Sequence, residues 1–199
     1  MAPTVPHARL ALPEGGIAQW YEDELGWATV SPPGEPVLLR TGLRFDVLEL
    51  PADAGHAVLR RAGPTGPVAL LGGRMRLFVA AGSADEVPAL LEWLEWGAVP
   101  LDLRAIGTGG LTAAPAPPGT APSAVVGTAR WLRPPLPGRQ WEQTLPVFAG
   151  IGGRGAAPDL VRLVAAAATE CHRARLTDVK TNVNTGPPKE GRTQPFAFS

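Results

Sequence analysis

Pro67-Val68-Ala69-Leu70-Leu71-Gly72-Gly73-Arg74-Met75-Arg76-Leu77-Phe78-Val79-Ala80 is the stretch whose reading decides the fold. Two apolar runs meet at a pair of glycines, and glycine tolerates the positive φ of a two-residue turn, so the stretch predicts a β-hairpin. A helix follows directly. Ser83-Ala84-Asp85-Glu86 fits the capping-box pattern, and Val87, Leu90, Leu91 and Leu94 recur at the i, i+3, i+4, i+7 spacing before Gly97. Pro88 lies in the first turns, where its missing N–H costs least.

On the amino-terminal side, residues 13–25 read as a helix, with Pro13 in its first turn, Ile17, Trp20, Tyr21 and Leu25 on one side, and Gly26 at its end. Strands are expected at 27–30, at 37–39 and over Leu43, Phe45 and Val47, where Arg44 and Asp46 take the other face. That alternation breaks at Leu48-Glu49-Leu50, and Pro51 stops the strand. Residues 52–62 predict a short helix with Ala54, Val58 and Leu59 inward, despite the cost of Gly55. On the carboxyl side, strand-like pieces fall at 99–103, 111–114 and 129–132, and a further helix is expected over 158–176. The alternation of helices with strand pairs predicts an α+β fold with a mostly antiparallel sheet packed by helices. The expected organisation is an α+β domain at 1–133, a Pro/Gly-rich connector at 134–157, a C-terminal helix at 158–176 docking on the core, and a disordered tail at 177–199.

Composition narrows the function classes. Lys+Arg and Asp+Glu are equal at 18 each, so the chain is neither a basic nucleic-acid coat nor an acidic tail. A single cysteine, Cys171, excludes an intrachain disulfide and a cysteine-based zinc site, and fits a cytoplasmic setting. The opening residues lack the apolar core of a signal peptide, and no apolar run approaches the roughly 20 residues of a membrane span, so a soluble protein with no membrane partner is expected.

Individual motifs carry little chemistry by themselves. Gly150-Ile151-Gly152-Gly153-Arg154-Gly155 matches G-x-G-x-x-G ahead of a helix, but a flexible linker is the preferred reading in a chain this rich in glycine. His7, His56 and His172 are scattered, and Cys171 and His172 are neighbours that a helix points about 100° apart, wrong for a thiolate–imidazole pair. The serines at 31, 83, 123 and 199 are in no nucleophile elbow. Trp93 and Trp96 flank an apolar helical stripe and suit core packing or self-association better than base stacking. Asp46, Glu49 and Asp102 lie on or beside strands, and acids sharing one sheet face hold divalent cations in phosphoryl transfer, but from spacing alone solvated strand faces are the preferred reading.

The order of segments resembles the primase/polymerase (Prim-Pol) domain of the archaeo-eukaryotic primase superfamily, in its actinobacterial bifunctional primase/polymerase form. Gly26-Trp27-Ala28-Thr29-Val30 is similar to the family's opening strand, and Thr41-Gly42-Leu43-Arg44-Phe45-Asp46-Val47-Leu48-Glu49 to its acid-bearing strand. Gly73-Arg74-Met75-Arg76-Leu77-Phe78 resembles its G-R-H-x-x-F strand. Leu101-Asp102-Leu103-Arg104 and Gly109-Gly110-Leu111-Thr112-Ala113-Ala114-Pro115 resemble its D-x-R-G-x-G-G segment. The likeness spans residues 15–135, and the carboxyl portion is similar to that of streptomycete-type members. It implies a Prim-Pol/RRM-like core, metal-dependent nucleotidyl transfer, and Mg or Mn as cofactor if the enzyme is active.

The departures from that pattern set the functional expectation. The family's paired aspartates are two residues apart on one strand face, whereas Asp46 and Glu49 are three apart and point to opposite faces of a regular strand. The position of the family's phosphate-contacting histidine is Met75, which donates no hydrogen bond, leaving Asp102 in the third acid's place. The expected function is a catalytically degenerate Prim-Pol-like binding or regulatory module that needs no cofactor. Two alternatives stand beside it: an active primase/polymerase, which requires a β-bulge near Leu48, and a self-associating scaffold using Trp93 and Trp96. Protein partners or self-association are expected. For nucleotide or nucleic acid, the residues to examine are Arg44, Arg74, Arg76 and Arg104, in a wider cluster with Arg40, Arg60 and Arg61. Arg44 opposite Arg74 or Arg76 would make a basic stripe; a solvated strand face paired with Asp46 and Glu49 is the preferred alternative.

Overall fold

The computed structural model describes residues 16–120, 129–136, 138–148 and 158–184. Its elements run α1 (Gly16–Leu25), β1 (Thr29–Val30), β2 (Leu38–Arg40), β3 (Phe45–Pro51), α2 (Ala52–Arg61), β4 (Val68–Leu71), β5 (Arg74–Ala80), α3 (Ser83–Trp93), β6 (Arg104–Ile106), β7 (Leu111–Ala113) and β8 (Arg130–Arg133), then a short 3-10 helix (Gly138–Thr144) and α4 (Leu160–Asn184). The fold is α+β. Five strands in the order β6-β3-β5-β4-β8 form one antiparallel sheet, and β1-β2-β7 form a smaller one.

The Gly72-Gly73 joint closes the expected hairpin, with Leu71 paired to Arg74 and Gly72 at a φ of 54°. β3 is buried from Phe45 to Leu50, which explains why its alternation breaks. Leu48 and Leu50 join a core with Ala54 and Val58 of α2, Val87 and Leu90 of α3, and Leu160, Leu163 and Val164 of α4. Phe45 and Val47 point the other way, into a cluster with Tyr21, Trp27, Phe78 and Trp141. A strand covered on both faces reads as a continuous apolar run.

The second cluster is organised around Trp27, which is fully buried. Its ring centroid lies 4.4 Å from Phe45, 5.0 Å from Trp141, 5.5 Å from Phe78 and 5.6 Å from Tyr21. Tyr21 donates its hydroxyl to the Pro115 carbonyl at 2.8 Å, tying α1 to the chain that follows β7. Trp141 and Leu145 are buried here, so the segment expected as a connector at 134–157 contributes core residues around its 3-10 helix.

The C-terminal helix is longer than its apolar spacing predicts. It packs against α2 and α3, begins at Leu160, and continues to Asn184, so 177–184 is helical where a tail was expected. The rest of that tail and the 150–155 glycine motif lie outside the described residues. The predicted strand at 99–103 is displaced to β6, because pairing with β3 begins only at Arg104. No helix among the described residues is long and apolar enough to cross a membrane.

Gly55 shows why α2 keeps a poor helix former at its centre. A Cβ built there would sit 2.4 Å from Met75 Sδ and 2.8 Å from Met75 Cβ, and Met75 is itself fully buried. Helix and sheet therefore touch backbone to side chain. Gly55→Ala is expected to lower stability by about 1–3 kcal/mol through overpacking, rather than raise it by the roughly 1 kcal/mol of helix propensity; urea unfolding decides the sign.

Candidate functional site

Of the charged residues singled out from sequence, Glu49, Arg74, Arg76 and Arg104 gather on one half of one sheet face, and Asp46 and Glu49 are buried where solvated strand faces were expected. Cross-strand register aligns Trp131 of β8, Ala69 of β4, Arg76 of β5, Glu49 of β3 and Arg104 of β6 in a single row. Rows toward one end of this face carry Val47, Phe78 and Ile106 of the aromatic side, and the row toward the other end pairs Pro51 with Arg74. The same face is thus aromatic at one end and ionic at the other.

Glu49 is the centre of the ionic end. It is 7% exposed, accepts from Arg76 Nε at 2.9 Å, and lies 3.5 Å from Arg74 Nε. Arg74 Nη1 also donates to Asp102 at 2.6 Å. Burial works against the Arg74 charge, but the Asp102 and Glu49 carboxylates more than offset it and hold the guanidinium above its ordinary pKa. Two arginines thus meet two carboxylates, and two sets of donors nearby make no such bond. Arg76 Nη1 is buried without a partner, and Arg104 is exposed and forms no ion pair among the described residues.

Asp46 belongs to the opposite face. β3 pairs with β5 in continuous register from Phe45↔Ala80 to Pro51↔Arg74, so no bulge re-aims Asp46 or Glu49. Asp46 Oδ2 accepts the Ala84 backbone N–H at 2.9 Å, at the start of α3. The expected capping box is not used: Gly82 is the N-cap residue, with no side-chain cap bond, and an acid from 38 residues earlier takes that role. Burial raises the Asp46 pKa, against the lowering effect of the backbone N–H groups of Ala84, Gly82 and Gly42.

The other candidates separate as follows. Arg44 precedes β3 and pairs with Glu142 at 3.2 Å, so it is not opposite Arg74 or Arg76, and the basic stripe does not form. Arg61 and Arg173 both bind Glu170, which ties α2 to α4. Met75 faces the helical core. Cys171 is buried, donates to the Asp102 carbonyl at 3.6 Å, and has its thiol pushed up to about 12 by burial and by the Asp102 charge, with Arg74 opposing. Such a thiol packs; it does not attack.

The turn before β3 and the segment before β7 meet in space. Thr41 donates its hydroxyl to the Gly107 carbonyl at 2.6 Å, and its N–H to the Gly110 carbonyl at 3.1 Å. The approach is close enough that a Cβ on Gly42, at a φ of 82°, would lie 2.3 Å from Thr108 Cα. Sequence reasoning missed the aromatic half of this face, because Trp27, Phe78, Trp131 and Trp141 come from four distant segments and no local spacing links them.

A two-metal centre does not fit these residues. Glu49 and Asp46 are on opposite faces, Glu49 is neutralised by two guanidiniums, and the position sharing its face two residues on is Pro51, which offers no oxygen side chain. Among the described residues, no three His, Cys, Asp or Glu side chains are grouped to hold a metal ion. No protein-family model, curated protein or solved structure matches this chain.

The cap makes Asp46 testable. Its folded pKa lies above its unfolded one, so the folded state binds the extra proton, and this group's contribution to stability falls as pH rises from below the ordinary carboxylate range through the raised value. Unfolding measured across the acid range should show wild type gaining on Asp46→Asn as pH falls. Asp46→Ala should lose about 1 kcal/mol at neutral pH through the missing acceptor.

Proposed function

We propose that this chain is a Prim-Pol-like domain that does not carry out nucleotidyl transfer and works as a binding module, using the ionic end of its sheet face. The observation that carries the reading is the fate of the three acids. Asp46 caps α3, Glu49 is held between Arg74 and Arg76, and Asp102 is paired to Arg74. Catalysis of phosphoryl transfer by two metals needs carboxylates that converge on ions about 4 Å apart. Here each carboxylate already serves the fold.

What this face offers a ligand is donors. Arg104 lies beside Glu49 on the neighbouring strand, exposed and in no ion pair among the described residues, and a planar guanidinium matches the oxygens of phosphate or carboxylate. With zero net charge, the chain has no long-range attraction for a polyanion, so recognition would rest on these local contacts.

The experiment is a titration with labelled nucleoside triphosphate and manganese, with and without a primed single-stranded template, reading binding and primer extension together. The expected result is no extension under any condition. Extension that Asp102→Ala abolishes would restore the active enzyme and overturn the reading.

A further inference from the structure

The outward face of α3 carries chemistry that the sheet does not use. Trp93 is 72% exposed, whereas Trp27 and Trp141 are fully buried. At about 100° per residue, Asp85, Glu86, Ala89, Glu92 and Trp93 fall within one arc of about 120°, and Val87 and Leu90 lie on the side that is buried. Residues 77–103 contain no arginine, lysine or histidine. Among the described residues, Asp85, Glu86, Glu92 and Glu95 form no ion pair.

Two of these acids are placed against the fold's own interest. Glu92 and Glu95 lie at the carboxyl end of α3, where the helix dipole disfavours negative charge, and the last turn holds no basic residue. Glu95 also takes a φ of 64°, the one positive φ at a non-glycine residue among those described. The helix closes there through Glu95 N–H to Glu92 O at 3.0 Å and Trp96 N–H to Leu91 O at 2.8 Å, a geometry that glycine ordinarily serves. A carboxylate kept at a steric and an electrostatic disadvantage points to a partner outside the chain.

Charge decides which partner. Nucleic acid would bring phosphates against unpaired carboxylates. A second copy docked through the same face about a two-fold axis would bring these acids against themselves. A cationic segment meets neither objection: a guanidinium on the Trp93 ring gains a cation–π contact, and the flanking carboxylates receive charge-assisted hydrogen bonds. We propose that the exposed face of α3, together with the turn that closes it at Glu95, is a docking surface for an arginine-rich segment of a partner protein, with Trp93 as the anchor and Glu92 and Glu95 as its charge partners. This inference stands apart from the sheet face and from the question of nucleotidyl transfer.

The test is fluorescence anisotropy of the full chain with a labelled octa-arginine peptide at low and at physiological salt, with octa-glutamate as control, and sedimentation velocity in parallel. Octa-arginine is expected to bind, and octa-glutamate not. Trp93→Ala and the Glu92→Gln/Glu95→Gln pair should each weaken binding about tenfold, equivalent to about 1.4 kcal/mol. Neutralising Asp23 and Glu24 of α1 should leave it unchanged. Glu95→Gly should raise Tm by relieving the strained φ while weakening the peptide, a split that a merely structural residue would not produce. Binding insensitive to Trp93 and to Glu92/Glu95, or lost on neutralising α1, would overturn the proposal. So would a dimer that Trp93→Ala dissociates, which would assign the face to a second copy.

Discussion

β3 is bonded on one side to β5 and on the other to β6, and it is covered by helices on one face and by aromatic rings on the other. A slip of one residue would expel Phe45 and Val47 from the rings and Leu48 and Leu50 from beneath the helices at once. Its register is therefore specified twice. The same constraint sends Asp46 to the helical side and Glu49 to the open end of the other face, and the chemistry of both acids follows from that separation.

Each buried acid has been absorbed into the architecture. Asp46 joins the central strand to the start of α3 through one N–H, and so ties two layers that packing alone would hold less specifically. Glu49 and Arg76 form a nearly buried pair; leaving either one uncompensated costs far more than the pair itself contributes. Glu170 plays the same part between α2 and α4, receiving Arg61 and Arg173. Ionic groups here position layers, and the Trp27 cluster supplies the apolar mass that holds the smaller sheet, α1 and the 3-10 helix to the larger sheet.

Local signals were legible and long-range ones were not. Gly72-Gly73, the α2 periodicity and the α3 stripe are each encoded within about a dozen residues, and each forms as read. The opposite faces of Asp46 and Glu49 also followed from strand periodicity alone. The Ser83 capping box misled because an acid distant in sequence, brought close by β3, took the N–H that a local side chain was expected to bind. Arg44 misled because the strand begins one residue after it, which frees its side chain to reach Glu142. Trp141 sat in a stretch whose proline and glycine content reads as linker, and nothing local reports the ring it packs against. The final turns of α4 extend past the last residue of its apolar pattern, so no periodicity marked them.

The separation of the acids is the claim on which the account rests, and manganese reports on it directly. Paramagnetic broadening of the backbone amides of the isotope-labelled chain, read as manganese is added, maps any site where carboxylates converge on a metal. The account predicts no selective broadening at residues 46–50 and 102. Selective broadening that centres on those amides and disappears in Asp102→Ala would contradict it.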